Sequence, residues 1–112
     1  MQHSKEMVNR ERLPVYLDSL VDSVFKILPL FEEKNIGIEA YVESLIAEID
    51  NLDSLFTLEK AENKEYVSLM LTIRSIGKEI KSEGRTKAVV KREVFKSIHI
   101  IKTLISYVEV KK

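Results

Sequence analysis

The chain contains no cysteine and few residues that interrupt regular structure. Its 112 residues include three glycines and two prolines. The absence of cysteine excludes disulfide bonds, thiolate metal sites and cysteine nucleophiles, and it is compatible with a reducing cytoplasm. No apolar run approaches the roughly 20 residues that span a bilayer, and residues 1–12 contain no apolar segment of a signal peptide. We therefore expect a cytoplasmic chain without a membrane-spanning segment.

The composition indicates one globular domain. Hydrophobic residues make up 45% of the chain and charged residues 32%, which is enough apolar material for a core and enough charge for a solvated surface. The length allows one hydrophobic core and is too short for two. Because residues 1–12 are mostly polar, we expect a frayed tail there and a single helical-bundle domain over 13–112.

Apolar residues near the N-terminus recur with the period of a helix. The pattern predicts a first helix over about 14–33, with Pro14 in the first turn, where its missing N–H costs nothing. Pro29 removes a backbone hydrogen bond, so the helix either kinks there or ends one turn early. The segment 35–37 then supplies a turn. The apolar positions of this helix are Leu13, Leu17, Leu20, Val24, Leu28 and Phe31.

Two further helices follow this turn. An apolar stripe predicts the second helix over about 38–55, and a loose connection lies within 53–63. The third helix contains Tyr66 and ends at Gly84, which can adopt the left-handed conformation that terminates helices. Gly77 inside it indicates a close approach between helices. Three residues are candidate N-caps for the third helix, namely Asp53, Thr57 and Asn63.

The fourth helix, over about 86–110, is rich in β-branched residues that also favour strands. The periodicity of the apolar residues favours a helix over a strand. Six of them are spaced three or four apart and fall within one arc of the helix: Val90, Val94, Ile98, Ile101, Ile105 and Val108. A second apolar set widens this surface: Val89, Ile100, Leu104 and Tyr107. The fourth helix is therefore either central in the bundle or in contact with a second chain. The fold class we predict is an all-α, antiparallel four-helix bundle with short loops.

Charge is distributed unevenly along the chain. Residues 1–70 carry 7 Lys/Arg and 14 Asp/Glu, whereas residues 71–112 carry 11 and 4, so the net charges are −7 and +7. Either an acidic helical pair packs beside a basic one, or the basic half meets an acidic partner such as a nucleic acid. The basic residues are Lys78, Lys81, Arg85, Lys87, Lys91, Arg92, Lys96 and Lys102.

Paired carboxylates do not predict a metal or catalytic site. Asp18 and Asp22 are spaced by four residues, as are Glu39 and Glu43, and all four are expected on solvated helix faces. A di-metal bundle would need Glu-x-x-His on facing helices, and the sequence contains no such spacing. We predict no metal, no cofactor and no catalytic residue from these acids.

His99 lies on the fourth helix, away from the arc that contains Ile98 and Ile101, so we expect it to be exposed near Lys102. The stretch 95–104 resembles the phospho-acceptor helix of histidine kinases, and its His-x-x-Lys spacing is similar to that of histidine-containing phosphotransfer bundles. The resemblance implies that the imidazole takes a phosphoryl group, with Lys102 helping to neutralise it. Ile100 stands where the kinase pattern has an acid, and the chain has no nucleotide-binding segment.

These observations leave three hypotheses for the function. The first is a non-enzymatic adaptor, regulator or inhibitor that binds a protein partner or a second copy of itself through the apolar set of the fourth helix, with Tyr107 as anchor. The second is phosphotransfer at His99, whose alternative interpretation is an ordinary surface histidine. The third is nucleic-acid binding by the basic half.

Overall fold

The computed structural model describes residues 2–56, 58–82 and 87–110, and the chain is helical over most of these ranges. Two short helices follow longer ones after single-residue breaks, so the six segments within these ranges form four helical arms. No strand occurs in the ranges given, and the predicted all-α four-helix bundle is confirmed. The segments are α1 (Gln2–Phe25), α2 (Ile27–Glu32), α3 (Ile38–Asp50), α4 (Leu52–Leu55), α5 (Lys60–Lys81) and α6 (Lys87–Val110).

Helix α6 is central to the packing, because it lies along both α1 and α5, while α3 packs on α5. Contacts near Phe25 and Glu32 involve Phe95 and Lys87 respectively, so α6 runs antiparallel to α1 and α2. The buried residues form one core to which all four arms contribute. None of the described helices combines the length and the apolar character needed to cross a membrane.

The two prolines have different effects on the first arm. Helix α1 begins at Gln2, so the predicted start at Pro14 is wrong, and Pro14 lies inside the helix. Its ring deprives only the Arg10 carbonyl of a donor, and the rest of the hydrogen-bond ladder continues. Pro29 likewise leaves the Phe25 carbonyl without its usual donor, and the helix breaks at Lys26, immediately after Phe25. The chain then resumes as α2, so the first arm is interrupted rather than ended there.

The turn after α2 depends on a lysine in the left-handed conformation. Lys34 has φ of 55°, and its N–H donates to the Phe31 carbonyl at 3.1 Å while the Asn35 N–H donates to the Leu30 carbonyl at 3.0 Å. This pair of bonds is the Schellman arrangement that closes a helix C-terminus. The Gly37 N–H then donates to Asn35 Oδ1 at 2.8 Å, which leads the chain into α3. The predicted turn over 35–37 is confirmed.

Helix α5 begins earlier than its strongest apolar residues suggested. Its N-cap is Glu59, and Glu59 and Glu62 form a reciprocal capping box in which the Glu59 N–H donates to Glu62 Oε1 at 3.0 Å. The predicted caps are therefore wrong where they can be compared: Asp53 lies within α4 and Asn63 within α5, while Thr57 lies outside the described residues.

The remaining details of α5 concern its packing on α3 and its end. Tyr66 donates from its hydroxyl to the carbonyls of Ile49 and Asp50 at 3.0 and 3.1 Å, which satisfies acceptors at the end of α3. A Cβ on Gly77 would lie 3.4 Å from Ile46 Cδ1, so the predicted close approach is confirmed. The helix ends at Lys81 rather than at Gly84, which lies outside the described residues.

Candidate functional site

The apolar set predicted as a partner interface does not form one exposed surface. Ile100 and Leu104 are core residues, 6% and 1% exposed. Val89 is half-buried, and Tyr107 is 38% exposed. The physical reason is the central place of α6, because a helix packed between two neighbours buries a wider arc than a helix with one neighbour. The first of the two alternatives for the wide apolar surface, a central helix, is therefore the one observed.

The predicted basic residues are partly neutralised by acids of other helices. Lys81 Nζ lies 2.6 Å from Glu43 Oε1, and Lys87 Nζ lies 3.0 Å from Glu32 Oε1. The hydrogen bond to Glu43 raises the pKa of the Lys81 ammonium. All these groups are exposed, so each pair contributes little stability, but each reduces the positive potential locally. The acidic second arm thus packs beside the basic third arm, as one of the two interpretations of the charge pattern predicted.

The rest of the basic set does not gather into one patch. Arg92 lies 3.9 Å from Glu93 on its own helix, and Lys78 is exposed on α5. Lys91, Lys96 and Lys102 are exposed on α6 and form no ion pair with another described residue. Arg85 lies outside the described residues.

His99 is exposed at the middle of α6, and Lys102, one turn later, is exposed as well. The Thr103 hydroxyl donates to the His99 backbone carbonyl at 3.0 Å. The imidazole is open to solvent on the outside of the bundle. This arrangement can accept a group from a partner that docks on α6, and within the described ranges no side chain forms a hydrogen bond with the ring.

The seam between α1 and α3 is held by tyrosines. Tyr16 donates to Glu48 Oε2 at 3.0 Å and packs against Phe56, and Tyr41 donates to the Ser23 carbonyl at 2.6 Å. Burial, followed by the nearby Glu48 carboxylate, raises the pKa of Tyr16 above its ordinary value. These contacts join the first and second arms, and they give both phenol hydroxyls a structural role. Within the described ranges no three His, Cys, Asp or Glu side chains come together as metal ligands.

One exposed surface combines aromatic rings with both signs of charge. Phe25 and Phe95 meet edge to face across the α1–α6 seam with ring centroids 6.3 Å apart, yet they remain 48% and 46% exposed. Each belongs to a row of exposed residues spaced three or four apart, and together the two rows are called the α1/α6 face below. The rows are Glu11, Val15, Asp18, Asp22 and Phe25 on α1, and Lys91, Phe95, His99, Lys102, Ser106 and Glu109 on α6.

The sequence-based prediction missed the aromatic residues of this face. Phe25 and Phe95 stand next to core residues Val24 and Val94 but outside the apolar stripes. A large aromatic residue displaced from the stripe of an amphipathic helix is the signal that could have identified them. Of the residues predicted from sequence, His99, Lys91 and Lys102 lie on the same face.

No protein-family model matches the chain, and no curated protein or solved structure is significantly similar to it. The candidate site is therefore defined by geometry: the α1/α6 face, in which an exposed aromatic pair joins an acidic α1 row to an α6 row that carries Lys91 and Lys102 together with one acid, Glu109.

Proposed function

We propose that this chain is a non-enzymatic interaction protein that binds a protein partner through the α1/α6 face. The observation that carries the proposal is the half-exposed pair of Phe25 and Phe95. Aromatic side chains with little conformational entropy are frequent anchors of interfaces, and a surrounding set of charged residues orients the partner. Its action in the cytoplasm remains a prediction from the cysteine-free sequence.

The proposal moves the interface from the positions predicted by sequence to the opposite side of α6. Ile100 and Leu104 already bury their side chains against the bundle, so a partner gains nothing from them. Phe25 and Phe95 still expose about half of their surface, on the order of 90 Å² each, which a partner can remove from water.

Site-specific photocrosslinking tests this proposal. A photoreactive phenylalanine analogue placed at position 95, in a lysate of the producing cells, is expected to form a discrete protein adduct that disappears when Phe25 is also replaced by Ser. The matched control places the analogue at Asn51, which is exposed between α3 and α4. The interaction through this face would be refuted if the yield of adduct at position 95 were no higher than at position 51, or if it were unchanged by Phe25→Ser.

Phosphotransfer at His99 is a second candidate, favoured by the exposure of His99 and Lys102 on an antiparallel bundle. In the reaction, an imidazole nitrogen attacks the phosphorus of acetyl phosphate, the P–O bond to acetate breaks, and the ring loses a proton to solvent. Incubation with acetyl phosphate is expected to give an acid-labile, base-stable adduct of one phosphoryl group per chain. Absence of the adduct, or its persistence in His99→Ala, would eliminate this candidate.

Nucleic-acid binding by the basic half is the weaker alternative. Lys81 and Lys87 already face acids within the chain, and α6 places cations beside an acidic row of α1 rather than in an uninterrupted basic groove. Retention on DNA or RNA at low salt, lost steeply as salt rises, is the behaviour that would support it.

A further inference from the structure

We propose that the partner is a second copy of this chain, docked with a two-fold axis that runs along the α1–α6 seam. The inference rests on the proposed function and names the occupant of the same face. In this arrangement α1 of each copy lies on α6 of the other. Four features of the face favour this arrangement: the matching heights of residues along the two helices, the charges of those residues, the exposed aromatic rings and the available area.

The antiparallel packing of α1 and α6 puts residues of the two rows at matching heights. Phe25 contacts Phe95, and the two residue numbers add to 120. Because the helices are antiparallel, any residue of α1 lies level with the residue of α6 whose number brings the sum to about 120. Asp18 is therefore level with Lys102, and Asp22 with His99. The spacing of three or four residues keeps each row on one side of its helix over several turns.

A two-fold axis along the seam superposes the α1 row of one copy on the α6 row of the other. Rotation by 180° exchanges α1 and α6 and keeps the height of every residue, so Asp18 of one copy faces Lys102 of the second. Asp22 faces His99 in the same way. Because the operation is symmetric, each favourable pair occurs twice. Neither Asp18 nor Asp22 forms an ion pair with another described residue of its own chain.

The same rotation brings the exposed rings together. Phe25 and Phe95 of one copy meet their equivalents of the second copy at one height of the interface, so the half of each ring that faces water in the single chain becomes covered. Edge-to-face pairs extend readily into such clusters. Val15, the most exposed apolar residue of the α1 row, lies level with Ser106 and packs there without a charge.

The area of the face is sufficient for a modest dimer. The longer row of the face, from Lys91 to Glu109, extends about 28 Å at a rise of about 1.5 Å per residue, and two helices about 9 Å apart present a strip about 18 Å wide. About 500 Å² per copy, or about 1,000 Å² in total, is the size of weak, transient interfaces. We therefore expect a reversible dimer.

The other exposed apolar pair fits a second copy less well. Val67 and Leu71 lie one turn apart on the outside of α5, beside Lys64 and Lys78. A two-fold axis through that pair would place lysines of one copy against lysines of the other, which is unfavourable. The α1/α6 face instead places Asp18 against Lys102 near its middle, and its like-charge contact, Glu11 with Glu109, lies at the end of the rows.

Charge reversal provides a sharp test by sedimentation equilibrium. The unmodified chain is expected to show a monomer–dimer equilibrium, and Asp18→Lys or Lys102→Asp alone is expected to weaken dimerisation at least about tenfold, since each changes two symmetric contacts from attraction to repulsion. An equimolar mixture of the two variants is expected to recover the dimer, because both contacts then join Lys to Asp. Lys78→Asp on α5 is the control and should dimerise as the unmodified chain does.

A further variant addresses the end of the rows, where Glu11 lies level with Glu109. The axis places these like charges together, so Glu109→Lys is expected to tighten the dimer severalfold. Far-ultraviolet circular dichroism of every variant verifies that the bundle is folded. The proposal of a second copy is overturned if the unmodified chain is monomeric at 200 µM, or if its dimerisation constant is the same in all the charge-reversal variants. Should position 95 still crosslink a different protein in that case, the proposed function survives; if it does not, both are refuted.

Discussion

Leu104→Ala tests whether the wide apolar surface of α6 belongs to the core. Leu104 is 1% exposed, and α6 packs along both α1 and α5. Removing three carbons at such a site loses their transfer free energy and leaves a cavity, and Leu→Ala changes in cores cost about 2–5 kcal/mol. We expect the free energy of unfolding to fall by about 3 kcal/mol, because the surrounding helices can collapse only partly. For a domain of this size, that loss corresponds to a decrease in Tm of about 12 °C.

Urea unfolding followed by circular dichroism at 222 nm measures this change. The midpoint should fall while the m-value stays constant, since the surface exposed on unfolding hardly changes. Tyr107→Ala, three residues further on, is the matched comparison from the same predicted set, and at 38% exposure it should cost less than about 1 kcal/mol. Equal and small effects at the two positions would refute the core assignment and restore the interface predicted from sequence.

Three further substitutions probe local features of the fold. Lys34→Gly is expected to raise the free energy of unfolding by about 0.5–1 kcal/mol in urea titrations, because glycine adopts the left-handed φ of 55° without steric cost. A loss of stability would contradict the left-handed conformation at this turn. Gly77→Ala is expected to stabilise by up to about 1 kcal/mol through helix propensity, since the new Cβ lies at ordinary contact distance from Ile46 and Val42. Gly77→Val should destabilise. Tyr16→Phe concerns pH: the pKa of Tyr16 is raised above 10.0, so its contribution is complete below pH 10 and is lost as the pH rises further. Thermal unfolding from pH 8 to 11 should therefore show a steeper decline for the unmodified chain than for Tyr16→Phe.

The sequence predicted the arms of the bundle well because their apolar periodicity is strong. The fourth helix was predicted over 86–110 and runs from Lys87 to Val110, despite its many β-branched residues. The second arm was predicted over 38–55 and is broken only at Asn51. Burial of one continuous stripe outweighs local strand propensity in such a helix.

Features that depend on tertiary packing escaped prediction. Glu59 is an unusual N-cap, and its role depends on the buried partner Glu62. Pro14 lies inside α1, and the helix continues through it although its ring removes one hydrogen bond. Leu104 was assigned to a partner interface rather than to the core, because a single sequence does not reveal how many neighbours a helix has. For the same reason, the contact between Phe25 and Phe95 could be recognised only once the arms were placed beside each other.

The most direct test of the account compares thiol accessibility at two neighbouring positions of α6. Because the chain has no cysteine, Leu104→Cys and Ser106→Cys each carry a single reactive group. In dilute native protein, a maleimide is expected to label Ser106→Cys at least about 100-fold faster than Leu104→Cys, with equal rates in concentrated urea, since labelling of a core thiol requires opening of the bundle. Raising the protein concentration into the dimer range should slow labelling at position 106 alone. Equal native rates at the two positions would show that α6 turns its wide apolar side to solvent, and would contradict the account.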